Sequence, residues 1–68
     1  MSLNILRIQQ IMLEKGINQK EIATIGDIQT STLSKILSGK TKRTNIKTIY
    51  KIAKGLDVDP KDIVKGVD

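Results

Sequence analysis

Residues that favour helix starts recur along this chain, each ahead of a segment with helical periodicity. Asn4, Asn18 and Asn45 precede segments in which every third or fourth residue is apolar, and Asp59 directly precedes Pro60. Asparagine and aspartate side chains accept hydrogen bonds from the free amides of a first helical turn, and proline is favoured at the first helical position. No segment alternates apolar and polar residues as a strand would. The pattern therefore restricts the chain to short helices.

The first two helices have clear boundaries. Helix one is predicted over residues 4–15, ending at Gly16, with an inward face made of Ile5, Ile8, Ile11 and Met12. Asn18 and Glu21 form a capping box, in which each side chain accepts from the backbone amide of the other residue. Helix two therefore begins there and directs Ile22 and Ala23 inward. We expect it to stop at Gly26-Asp27, since both residue types tolerate a left-handed backbone.

Three more helices complete the prediction. The third begins near Gln29 or Thr30 and ends at Gly39, and its apolar side consists of Ile28, Leu33, Ile36 and Leu37. Residues 40–44 lack periodicity and are predicted to form an exposed basic loop. The fourth, capped by Asn45, has as inward residues Ile46, Ile49, Tyr50, Ala53 and Leu56. A short fifth helix opens at Asp59-Pro60, with Ile63 and Val64 inward. The sequence thus predicts one all-α domain of five helices over residues 1–68.

Composition argues against several functional classes. The chain contains no cysteine and no histidine, so disulfides, thiolate chemistry and the commonest general base and metal ligand are all missing. We therefore expect no catalytic residue, no metal site and no cofactor. Apolar runs are at most three residues long, far below the roughly 20 that cross a bilayer. A cytoplasmic protein without a membrane partner is expected.

The positive charge is concentrated in one segment. Seven cationic residues and no acidic residue lie between Lys35 and Lys54, whereas the segment before Lys35 is balanced. Such polarity is typical of a surface that binds a polyanion. Composition alone leaves a solvated lysine-rich helix equally open.

Residues 19–38 fit a helix-turn-helix unit. Two helices of about two turns, joined by the tight turn at Gly26-Asp27, present the second helix outward, where it fits a DNA major groove. Short helices joined by a turn also occur in many small bundles. The spacing of the inward residues favours the helix-turn-helix interpretation.

Three segments resemble the lambda-repressor and Cro-like (XRE-type) helix-turn-helix family. Gly16–Ala23 reads GINQKEIA and resembles the family's G-x-[S/T/N]-Q-x-E-L-A opening. Gly39–Arg43 resembles the loop after the recognition helix of lambdoid phage repressors, and Leu56-Asp57-Val58 resembles the family's L-G-V. The match is ungapped over roughly residues 5–64. It implies a compact lambda-repressor-like domain that binds duplex DNA.

The resemblance also implies roles for individual residues. The positions that face base edges are Gln29, Thr30, Ser31, Ser34 and Lys35. The positions that face phosphates are Asn18, Gln19, Lys40, Thr41, Lys42 and Arg43. Lysine donates to guanine O6 and N7, and serine or threonine serves as donor or acceptor. Simple helix capping remains an alternative for Thr30 and Ser31.

Residues outside this set receive other interpretations. The outer lysines of helix four, Lys47, Lys51 and Lys54, fit a solvated face. Tyr50 is the only aromatic residue, so the stacking platform of single-strand or RNA binders is missing. Tyr50 itself is predicted to be a core or interface residue.

The sequence departs from the family pattern in three respects. Relatives usually have the turn glycine at position 27, where Asp27 stands, which predicts a looser or shifted turn. They often have an arginine at position 12 and a glutamate at position 37 that pair across helices; here Met12 and Leu37 are expected to pack together. Asp57 replaces a helix-ending glycine, but aspartate tolerates that conformation.

These inferences predict a transcriptional regulator, a repressor that binds a pseudo-palindromic operator as a homodimer. An antitoxin that neutralises a partner protein and binds DNA for autoregulation is the main alternative. An accessory or structural domain of a longer chain is a third.

Overall fold

The computed structural model describes residues 2–40 and 44–65. Its elements are α1 (Ile5–Lys15), α2 (Gln19–Gly26), α3 (Thr30–Leu37), α4 (Ile46–Leu56) and a 3₁₀ helix (Pro60–Ile63). The all-α prediction is confirmed, but the prediction of a fifth α-helix is wrong. The last element is one 3₁₀ turn, in which the Asp62 amide donates to the Asp59 carbonyl at 2.9 Å. Val64 is already extended, so the segment is too short for an α-helical turn to propagate.

The predicted helix starts are confirmed by capping hydrogen bonds. The Oδ1 atoms of Asn4, Asn45 and Asp59 accept backbone amides at 3.1, 2.8 and 3.1 Å respectively. In the capping box, the Glu21 amide donates to Asn18 at 2.9 Å and the Asn18 amide donates to Glu21 at 3.0 Å. These bonds satisfy amides that a helix leaves free at its start.

Each of the four α-helices is followed by a left-handed residue that reverses the chain. These residues are Gly16, Asp27, Gly39 and Asp57, with φ of 65°, 58°, 84° and 58°. In every case the amide of the residue after the left-handed one donates to the carbonyl of the residue five positions before itself, at 2.9 to 3.2 Å. This is the Schellman arrangement, which satisfies carbonyls at a helix end. After three of the helices, that next residue is apolar and packs against the core: Ile17, Ile28 and Val58.

The core draws on every helix and on the start of the chain. Its largest fully buried side chains are Ile8, Ile11, Ile22, Leu33, Ile52, Leu56 and Ile63. Leu3 is also buried and forms an isolated antiparallel bridge with Val64. The Asn4 amide donates to the Ile63 carbonyl at 2.8 Å, and the Lys65 amide donates to the Ser2 carbonyl at 2.9 Å. These contacts join the two ends of the domain.

Two glycines allow α2 and α4 to approach closely. A Cβ atom on Gly55 would lie 2.7 Å from the Ile22 carbonyl oxygen, and one on Gly26 would overlap the Lys51 carbonyl oxygen. No larger residue fits at either position without displacing a helix backbone. The pair therefore fixes the helix-turn-helix unit on α4.

The structure corrects three burial predictions. Ile46 and Tyr50 do not face the core: they are 71% and 63% exposed, whereas Ile52 is fully buried. The close contact at Gly55 turns the Ile52 side of α4 toward α2, which leaves Ile46 and Tyr50 on the outer edge. In the predicted exposed loop, Thr44 is buried and Lys40 is exposed. Positions 41–43 of that loop lie outside the described residues.

Among the helices of residues 2–40 and 44–65, none is both long and apolar enough to cross a membrane.

Candidate nucleic-acid interface

The connection between α2 and α3 has a defined geometry. Asp27 takes the left-handed conformation (φ 58°, ψ 53°), and the Ile28 amide donates to the Ala23 carbonyl at 2.9 Å. Gly26 lies inside α2, buried against α4. The expectation of a shifted turn is therefore wrong, because Asp27 adopts the backbone conformation for which relatives use glycine. The unit formed by α2, this turn and α3 runs from Gln19 to Leu37.

Helix α3 has one buried and one exposed side. Leu33, Ile36 and Leu37 are at most 7% exposed and anchor the helix to the core. Every other residue of α3 is exposed. Because Ser31, Lys35 and Ser38 are spaced by four and three residues, they follow one line along the surface opposite the core. This outermost line of α3 is the side directed away from the core.

All five residues predicted to face base edges are exposed: Gln29, Thr30, Ser31, Ser34 and Lys35. Ser31 and Lys35 lie on the outermost line, and Thr30 and Ser34 lie together on one flank. Gln29 is the N-cap of α3, and its side chain makes no capping hydrogen bond. The carboxamide group of the Gln29 side chain therefore does not cap the start of α3.

Two exposed residues of this surface are missing from the sequence-based set. Thr32 occupies the flank opposite Thr30 and Ser34, and Ser38 ends the outermost line. The Ser38 hydroxyl donates to the Lys35 carbonyl at 2.9 Å, which leaves its oxygen lone pairs free to accept. The exposure of both residues can be predicted from the helical period of α3, once Leu33, Ile36 and Leu37 are taken as its inward side.

The residues predicted to face phosphates are spread over two places. Asn18 is exposed and Gln19 half-buried at the start of α2. Because the Asn18 Oδ1 already accepts from the Glu21 amide, only its NH₂ group remains to donate to a phosphate. Lys40 is exposed directly after α3, and its amide donates to the Lys35 carbonyl at 3.2 Å. Thr41, Lys42 and Arg43 lie outside the described residues.

All charged side chains of α3 and α4 are cationic. The sequence contains no acidic residue from Ile28 to Leu56, a segment that includes all of α3 and α4. Lys47 and Lys54 are exposed and Lys51 is half-buried, as expected of a solvated outer face of α4. The helix-turn-helix unit therefore presents lysine, hydroxyl and amide groups with no carboxylate on its outward helix, a composition suited to a polyanion.

Solved structures of two restriction-modification controller proteins are similar to this chain. The controller C.AhdI from Aeromonas hydrophila is 22% identical with a TM-score of 0.75, and the match covers 85% of this chain and 86% of that protein. Wild-type C.Esp1396I is 31% identical with a TM-score of 0.70, covering 81% of this chain and 70% of that protein. The likeness to C.AhdI shows the fold alone.

Comparison with family models identifies the family to which this chain belongs. A search of curated proteins finds no match. The family model of the Cro/C1-type helix-turn-helix DNA-binding domain matches residues 7–68, nearly the whole chain. With the all-helical fold and the exposed polar helix α3 on the same residues, the chain belongs to the Cro/C1-type helix-turn-helix family of DNA-binding transcription regulators.

Proposed function

We propose that this protein is a transcriptional repressor that binds a pseudo-palindromic operator as a homodimer. The observation that carries the proposal is the line of Ser31, Lys35 and Ser38, exposed on a helix whose opposite side is anchored in the core. A helix held in this way enters the major groove as a rigid unit.

Base recognition is assigned to the exposed side of α3. Lys35 donates to guanine O6 or N7, while the hydroxyl groups of Ser31 and Thr30 donate or accept and the Thr30 methyl group contacts a thymine methyl. Gln29 and Ser34 lie beside these residues. Since each such contact distinguishes only one or two base pairs, a single copy reads a short half-site.

Phosphate binding is assigned to residues on either side of α3. Gln19 and Asn18 contact the backbone from the start of α2, and Lys40 to Arg43 follow it from the loop after α3. These contacts set the register on DNA and supply much of the affinity, but they do not distinguish sequences.

The homodimer follows from the small size of one recognition surface. A single module of this size buries too little DNA surface for useful specificity, whereas a two-fold pair doubles the contacts on an inverted repeat. Repression then results from occupancy of a promoter by the pair. The 31% identical controller protein C.Esp1396I supports a regulatory function, and a restriction-modification operon is one target class to include.

Selection of bound sites from a random duplex pool tests the proposal. We expect an inverted repeat whose half-site centres lie about one helical turn apart. Placed over a promoter, the selected site should reduce transcription in vitro. Equal affinity for single strands, or an enriched site without two-fold symmetry, would contradict the proposal.

A further inference from the structure

The outward side of α1 is uncharged and carries two exposed leucines. Leu6 and Leu13 are 66% and 84% exposed. Because they are seven positions apart, they lie about two helical turns apart on the side opposite the buried residues of the helix. Gln9 and Gln10, also exposed, lie between them. We call these four residues the α1 face.

Helix α1 is held at both ends, so the α1 face is rigid. At the start of the helix, the Asn4 amide donates to the Ile63 carbonyl at 2.8 Å. At its end, the Lys15 ammonium donates to the carbonyl oxygens of Leu56 and Asp57 at 2.8 and 3.0 Å. A surface held in this way loses little conformational entropy when a partner binds. The exposed leucines therefore form a preorganised apolar surface.

The charges beside the α1 face make it complementary to a second copy of itself. Arg7 and Glu14 lie on one flank of the face, with their charged groups 4.0 Å apart. If two α1 helices pair antiparallel about a two-fold axis near Gln10, Leu6 of each copy meets Leu13 of the other. Arg7 of each then lies beside Glu14 of the other, and the four charges alternate in sign. The glutamine side chains at the axis both donate and accept hydrogen bonds, so they can pair with each other.

The other charges near α1 do not oppose this pairing. Around the helix, charged residues stand next to residues of the opposite charge. These neighbours are Lys15 with Asp57 on its inner side, Lys20 with Glu21 after its end, and Asp62 with Lys65 near its start. A strongly acidic or strongly basic partner gains nothing from such a balanced surface. A second copy, which supplies the same leucines, glutamines and alternating charges, is the partner that fits.

The size of the α1 face limits the strength of the contact. A helix of 11 residues is about 16 Å long and about 10 Å wide. Stable complexes bury roughly 800 Å² on each partner, which one side of such a helix does not reach. The contact is therefore too weak to hold free copies together in dilute solution. It becomes significant when one duplex binds two copies side by side, because the shared duplex raises their effective concentration to about the millimolar range.

We propose that the α1 face joins copies of this chain bound at neighbouring sites on one duplex, and so makes their binding cooperative. Leu6 and Leu13 of one copy pack against the same residues of the next. This inference rests on the proposed function for the duplex that brings the copies together, and its location comes from α1. The contact leaves DNA recognition undisturbed, since no residue of the α1 face belongs to α2 or α3.

Disulfide trapping tests the contact without DNA. The chain contains no cysteine, so a single introduced cysteine can form a disulfide only between two copies. At millimolar protein under mild oxidation, we expect Gln10→Cys to form a linked pair at least about tenfold faster than the control Thr24→Cys, an exposed position of α2. Adding Leu13→Glu to Gln10→Cys should slow the reaction to the control rate.

A second measurement uses DNA with one or two copies of the site selected from the random pool, the two copies being placed at spacings that vary over one helical turn. On the single site, the parent and Leu13→Glu should bind with equal affinity. On the double site, the parent should bind its second copy at least about tenfold more tightly than its first at the favoured spacing. Leu13→Glu should bind both copies independently. The control Ile25→Glu places the same charge on an exposed apolar residue of α2 and should keep the parent's ratio of the two affinities.

Equal oxidation rates for Gln10→Cys and Thr24→Cys would overturn the inference, whether or not the protein binds DNA. Cooperativity that survives Leu13→Glu, or that Ile25→Glu also abolishes, would overturn it as well. The two proposals fail in different ways. If a site is selected and bound without cooperativity at every spacing, only this inference fails. If no duplex is selected, the proposed function fails and the cooperative role of the α1 face fails with it.

Discussion

The backbones of α2 and α4 touch at Gly55, where an added methyl group would lie 2.7 Å from the Ile22 carbonyl oxygen. Gly26 makes the reciprocal contact from α2, directly against the Lys51 carbonyl. Each helix thus contributes one glycine to the crossing. The helix-turn-helix unit is positioned by backbone contact and not only by side-chain packing.

Gly55→Ala should therefore destabilise the domain. Replacing a glycine in a helix interior by alanine normally raises the stability of the protein by about 0.5–1 kcal/mol. Here the added methyl group would overlap backbone atoms of α2. We expect the free energy of unfolding to fall by about 1–3 kcal/mol, the usual cost of overpacking, in urea denaturation. In the control Gly16→Ala, no atom lies within 4 Å of the new methyl group, so only the left-handed backbone contributes, at about 1–2 kcal/mol. A Gly55→Ala variant more stable than the parent would show that the helices separate freely.

Lys15→Met should also lower stability. The Lys15 ammonium donates to the carbonyl oxygens of Leu56 and Asp57, at 2.8 and 3.0 Å, and so places a positive charge at the C-terminus of α4. A cation there interacts favourably with the helix dipole. We expect a loss of about 0.5–1.5 kcal/mol, measured by thermal melting at low salt. Lys20→Met, an exposed lysine of α2, serves as the control and should melt within experimental error of the parent.

Most of the helix boundaries could be predicted from sequence because local hydrogen bonds determine them. The capping box at Asn18 and Glu21 and the left-handed residues at Gly16 and Asp57 involve neighbours in the chain, so residue type and spacing suffice. The third helix is less sharply marked because Gln29 makes no side-chain cap.

The missed features depend on contacts between distant segments. The sequence predicts Ile46 and Tyr50 as inward residues of α4 because both fit a helical apolar stripe. Which side of α4 is buried depends on the contact of Gly55 with Ile22. Burial of Leu3 depends on the bridge to Val64, which is 61 positions away in sequence. In the candidate DNA-binding surface, Thr32 and Ser38 were missed because the residue roles came from the family resemblance and not from the exposure of α3.

DNA binding should depend steeply on salt. If Lys40, Lys42 and Arg43 of both copies of the proposed dimer neutralise about six phosphates, the log-log slope will be near −5. Affinity for the selected duplex should then fall about a thousandfold between about 50 and 200 mM salt. Fluorescence anisotropy over a salt series measures the slope. A slope near zero would mean that the cationic segment does not contact the backbone.

Lys35 and Lys40 should differ in what they contribute. Lys35→Ala, at a position proposed to contact a base, is expected to cost about 1–3 kcal/mol on the preferred site and to relax the preference at one base pair. Lys40→Ala, at a position proposed to contact a phosphate, should weaken binding to all sequences alike and make the salt slope shallower by about one unit per copy. Repeating the duplex selection with each variant compares them directly. Identical site preferences for the two variants would refute this division of roles.

Leu37 should be essential for stability, and Met12 should be its partner. Leu37 is 7% exposed in the core, and Met12 is partly buried against the same core cluster. Relatives often have a glutamate and an arginine at these two positions, and removing one member of a buried ion pair costs about 3–5 kcal/mol. Leu37→Glu leaves such a charge unpaired, so we expect a loss of this size, seen as a lowering of the melting temperature by about 4–8 °C per kcal/mol. Adding Met12→Arg should restore part of the loss, because the arginine supplies the missing charge.

The control Leu13→Glu, on the exposed side of α1, should melt close to the parent. A double variant no more stable than the sum of the two single effects predicts would show that Met12 and Leu37 are not paired. Leu37 would then contribute to stability through its other core neighbours.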